Sequence, residues 1–98
     1  MDTIENVCKE LEKIVADITA KGAANVDIAG CVGNIDKISL AAESLGMKSG
    51  KKLIDNLSGV LKSFKEGKSE EGSVSVRVTA LDFYIKNVLS NQGTVEEI

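Results

Sequence analysis

The chain of 98 residues contains no histidine, no proline and no tryptophan. Without histidine there is no Ser-His-Asp triad, no imidazole ligand for a metal and no ring nitrogen to carry a phosphoryl group. The two cysteines, Cys8 and Cys31, are too few for a four-cysteine zinc site and form no CxxC pair. No run approaches the roughly 18 consecutive apolar residues of a membrane span. Aromatic side chains are limited to Phe64, Phe83 and Tyr84, so base stacking by interleaved aromatics has little to work with. With 15 acidic against 12 basic side chains the net charge is −3, which argues against a dedicated nucleic-acid or anionic-membrane binder. These absences predict a chain with no catalytic residues, no metal site and no cofactor.

What is present is enough apolar material for one domain, at 43% of residues. The start, Met1-Asp2-Thr3-Ile4-Glu5, is acidic where a secretory signal is basic and then apolar. A cytoplasmic location with both cysteines as free thiols is the expectation.

Four apolar stripes at helical spacing run along the chain. The first is Ile4, Val7, Leu11, Ile14, Val15 and Ile18, with Asp2 and Glu5 as a capping box and Lys21-Gly22 as the stop. Gly22-Ala23-Ala24-Asn25 reads as a turn, after which Asn25 or Asp27 caps the next helix. That helix carries Ile28, Cys31, Val32, Ile35, Ile38, Ala42 and Leu45. Gly30 and Gly33 inside it each cost about 1 kcal/mol against alanine. They imply either a close approach of a neighbouring helix, which is the preferred reading, or a helix starting only near Asn34. Gly46 ends this helix in the left-handed conformation. Ser49 caps a third helix with Leu53, Ile54, Leu57, Val60, Leu61 and Phe64, and Gly67 closes it. Ser69 with Glu70 and Glu71 opens the last segment.

Ser73-Val74-Ser75-Val76-Arg77-Val78-Thr79 alternates as a strand does. Val74, Val78, Leu81, Ile85 and Val88 nevertheless recur at intervals of four and three, and a lone strand would lack a partner. The prediction is therefore all-α: an antiparallel up-down four-helix bundle with helices near 3–20, 27–45, 49–66 and 70–90, and a flexible tail over 91–98.

Several clusters carry potential chemistry. Lys48, Lys51, Lys52, Lys62, Lys65 and Lys68 concentrate half of the basic residues in one stretch, read either as a face for an acidic partner or as a solvated helix surface. No GxxxxGK[ST] exists, so Lys48-Ser49 is a loop and cap rather than a phosphate cradle. Cys8 and Cys31 fall on or near inward faces and read as small hydrophobes. Phe83 and Tyr84 are adjacent and cannot share one core, so one of them, with Val76, forms either an exposed apolar patch for a protein partner or self-association, or an ordinary edge of the core.

From Asp36 to Gly67 the chain resembles a known family. Ala41-Ala42-Glu43-Ser44-Leu45-Gly46-Met47, then Leu53, Leu57 and Leu61, then Lys65-Glu66-Gly67, is similar to the centre of histidine-phosphotransfer (HPt) domains. That family is built on an antiparallel four-helix bundle, and its motif runs His-x-Leu-Lys-Gly, small residues, then Leu-Gly at the helix end. Counting back from Leu45-Gly46 sets the family's histidine on Asp36 and its apolar position on Ile38, which fits. Its lysine falls on Ser39 and its glycine on Leu40, which do not. The resemblance implies a degenerate domain, unable to relay phosphate because aspartate has no ring nitrogen, that docks on a receiver domain or histidine kinase. The interaction surface it implies comprises Asp36, Lys37, Glu43, Lys48, Lys51 and Lys52. The competing expectation is a structural or oligomerising bundle, with a second copy of the chain as partner.

Overall fold

The computed structural model describes residues 3–90 and consists, among them, of four α-helices joined by short connections. They are α1 (Ile4–Lys21), α2 (Ile28–Ser44), α3 (Lys48–Lys65) and α4 (Glu71–Ser90), with a 3₁₀ turn at Ala23–Asn25. Each predicted helix is present with its ends displaced by about one residue, within the usual ambiguity of helix termini. The helices run up and down as an antiparallel bundle. In the ring they form, α2 packs on α1 and α3, and α4 packs on α3 and closes against α1. The expected 91–98 tail and Asp2 lie outside the described residues.

The core is drawn from the inner stripe of every helix: Val7, Leu11, Val15 and Ile18 from α1, Ile35, Ile38 and Ala42 from α2, Ile54, Leu57 and Leu61 from α3. From α4 come Val74, Val78, Leu81, Ile85 and Val88, so the helical period wins over the alternating one. A strand in that position would have had no neighbour to receive its backbone hydrogen bonds. Cys8 is fully buried and Cys31 half-buried, as the small-hydrophobe reading expects. Tyr84 packs against the core while Phe83 and Val76 are exposed.

Sequence punctuation explains most of the helix ends. Gly46 and Gly67 have φ of 76° and 77°, in the left-handed region. After α2, Met47 N–H donates to Ala42 O at 2.9 Å and Gly46 N–H to Glu43 O at 3.1 Å. After α3, Lys68 N–H donates to Ser63 O at 2.8 Å and Gly67 N–H to Phe64 O at 3.0 Å. Both are Schellman closures, which satisfy carbonyls that a helix end otherwise leaves exposed.

Two cap expectations are corrected and one open alternative is decided. The cap of α1 is Thr3, whose hydroxyl accepts from Asn6 N–H at 3.1 Å. Asp27, not Asn25, caps α2 by accepting from Gly30 N–H at 3.2 Å, while Asn25 turns back to donate to Lys21 O at 2.9 Å. Ser49 does not cap α3. The N-cap position is held by Met47, whose side chain is fully buried and makes no capping bond, and Ser49 lies inside the first turn.

Gly30 and Gly33 are also corrected. Neither marks a close approach between helices. A Cβ at Gly30 would stand 2.5 Å from Asp27 Oδ2, so this glycine makes room for the cap of its own helix, and a Cβ at Gly33 would meet nothing within 4 Å. The close approach is instead at Gly50, where a Cβ would lie 2.8 Å from Tyr84 Oη and 2.9 Å from Tyr84 Cε2.

Candidate functional site

The α2–α3 seam holds the buried serines found among the described residues. Two serines face it from core positions, Ser39 on α2 and Ser58 on α3, and both are buried. A buried hydroxyl needs a partner, and each finds a carboxylate on the opposite helix. Ser39 Oγ donates to Asp55 Oδ1 at 2.5 Å, and Ser58 Oγ donates to Asp36 Oδ1 at 2.8 Å. The arrangement is reciprocal, with each helix supplying one serine and one aspartate. Both pairs match residues whose numbers have the same sum, as two antiparallel helices in one register require.

Lysines complete both clamps. Lys51 Nζ lies 3.0 Å from Asp55 Oδ2 and 3.1 Å from Ser39 Oγ, and reaches Glu43 Oε2 at 3.9 Å. Lys62 Nζ lies 3.8 Å from Asp36 Oδ2. The Asp55 carboxyl is held below its ordinary value, chiefly by the Ser39 hydrogen bond and further by Lys51. Its partner Lys51 is correspondingly pushed up, mainly through the hydrogen bond to Asp55.

The candidate residues divide into three places. Glu43, Lys48, Lys51 and Lys52 line one cleft of about 650 Å³, where the end of α2 meets the start of α3, together with Met47 and Asp55. Asp36 sits roughly two helical turns further along the same seam. Its side chain is 52% exposed, with Oδ1 held by Ser58. Lys37 is not brought to them: it lines a separate depression between α1 and α2 with Glu10, Asp17 and Cys31.

Sequence reasoning missed the two serines and the exposure of Leu40. Leu40 is 65% exposed on the outer side of α2, one turn from both Asp36 and Glu43. A signal for the serines was present, since Ser39 and Ser58 adjoin the apolar stripes of their helices. Leu40 stood out only as a bulky residue where the family has glycine.

Chemically, the seam is a set of satisfied ion pairs and hydrogen bonds on rigid helices. Both thiols are disfavoured as thiolates. Burial and the nearby Glu12 push Cys8 up to about 11, and burial followed by Asp17 and Asp27 raises Cys31. No helix among the described residues is long and apolar enough to cross a membrane. In comparisons with known proteins, no family model, curated protein or solved structure matches this chain.

Proposed function

We propose that this chain is a non-catalytic helical interaction module that docks a protein partner on the outer face of α2 and the adjoining start of α3. The observation that carries the reading is Leu40, a large apolar side chain left 65% exposed one helical turn from Asp36 and from Glu43, the latter on the wall of the lysine-lined cleft. An exposed apolar residue flanked by charge is the pattern of an interface anchor inside a polar rim. The clamps beneath it hold α2 and α3 in one arrangement, so docking loses little conformational entropy. Lys48 and Lys52, both exposed at the cleft, select a partner with carboxylates facing them.

The resemblance to histidine-phosphotransfer domains names the partner class: a receiver domain or a histidine kinase of a two-component system, bound without phosphate relay in the cytoplasm. The exposure of Asp36, the position of the family's histidine, at the solvent edge of the α2–α3 seam supports that choice. The test is an NMR titration of the labelled chain with isolated receiver domains and with kinase dimerisation domains. Shifts are expected across 36–44 and 48–52, and Leu40→Glu is expected to weaken binding about tenfold, the worth of one apolar anchor. Shifts confined to other faces would remove this surface, and no binding to either class would remove the two-component assignment.

A further inference from the structure

The outward side of α4 repeats the spacing of its inward side. Ser73, Val76, Ala80, Phe83 and Asn87 recur at intervals of three and four, and all five are exposed and uncharged. Val76 is 60% exposed and Phe83 74%. This is the spacing along which two helices pair, here over two heptads with Val76, Ala80 and Phe83 at the centre. Here it lies opposite the buried stripe Val74, Val78, Leu81, Ile85 and Val88.

Charge decides what fits this seam. The chain is acidic overall, so two copies meet most easily where the facing surface is neutral. The seam itself is uncharged; by helix geometry Arg77 flanks it while Glu71 and Asp82 stand on the far side, and Asp82 is paired with Lys86 at 2.9 Å. By contrast, α3 carries five lysines and one aspartate, which would repel its own copy and suits an acidic partner.

We propose that the Ser73–Asn87 face of α4 is a self-association surface, on which a second copy of this chain docks its own α4 in antiparallel orientation. That orientation sets Phe83 of each copy against Ala80 of the other, a large side chain over a small one. It also keeps the two Arg77 side chains apart. A slip of one heptad would set Arg77 against Arg77, so charge selects the register. The seam is about 21 Å long, which makes a small interface and a concentration-dependent dimer. This surface is separate from the α2 face and does not depend on the partner proposed for it.

Sedimentation equilibrium of the whole chain, from about 10 μM to about 1 mM, tests it in the range where a small interface populates a dimer. Wild type is expected to dimerise, Phe83→Glu to weaken association about tenfold or more, and Leu40→Glu to leave it unchanged. Circular dichroism is expected to show the same helicity for all three, because both side chains are exposed. In a Cys31→Ser background, a short bis-maleimide is expected to join copies through Ala80→Cys and not through Ser73→Cys. A wild-type chain that stays monomeric to the top of the range overturns the proposal, as does Phe83→Glu associating like wild type. Joining through Ser73→Cys overturns the antiparallel orientation.

Discussion

At the scale of single residues, glycines with identical side chains do different work. Gly50 lies under the Tyr84 ring, so Gly50→Ala forces a rigid aromatic aside and is expected to cost about 1–3 kcal/mol. Gly33 and Gly59 face open space within their helices, and alanine at either is expected to add about 0.5–1 kcal/mol. Urea denaturation followed by circular dichroism separates the two signs. The periodic pattern told which side of α2 is apolar, but not how near another helix lies. Gly50 could be recognised only by knowing that Tyr84, far along the chain, crosses it. The cysteines were legible, because a buried thiol follows from its place beside a stripe. Cys8, fully buried and with its thiol pushed up to about 11, is expected to resist a neutral-pH maleimide until the chain unfolds. Cys31, half-buried, is expected to label first. Mass spectrometry of a timed labelling series, with and without denaturant, reads the order directly.

At the scale of helices, the apolar stripes carried the prediction and the polar seam escaped it. Val74, Val78 and Leu81 resolved the strand-like segment because a helix can bury that stripe within this bundle, whereas a strand had nothing to pair with. Ser39 and Ser58 escaped because a serine beside a stripe looks the same whether it meets solvent or a carboxylate on another helix. Of the candidate site, five residues do lie along the α2–α3 seam, while Lys37 is turned towards α1 by its place on the helix circumference. Removing either hydroxyl, by Ser39→Ala or Ser58→Ala, is expected to cost about 1 kcal/mol in denaturant titrations. The acid dependence has a definite sign. Asp55 has a folded value below its unfolded one, so its contribution is present above the ordinary carboxylate range and disappears as pH falls through the folded value. Unfolding measured at about pH 7 and about pH 3 is expected to show a smaller acid loss for Asp55→Asn than for wild type. An equal loss in both would remove Asp55 from the acid response.

At the scale of the whole molecule, charge is distributed unevenly over a chain with a small net value. The basic α3 and the neutral α4 give the bundle two unlike outer faces. Apolar packing inside the bundle restricts how α2 and α3 cross, because side-chain ridges seat in grooves, yet tolerates small changes of angle. The two reciprocal clamps narrow that remaining freedom. One serine–aspartate pair would act as a hinge pin about which α2 could swing. Two pins, about 4.5 Å apart along each helix, act as a dowelled joint that admits a single crossing angle. The opening of the cleft at Met47 is therefore gauged by the joint and not by the loop that spans it. Drawing the Asp55 pin, by acid or by substitution, leaves α2 and α3 turning on Asp36 and Ser58 alone.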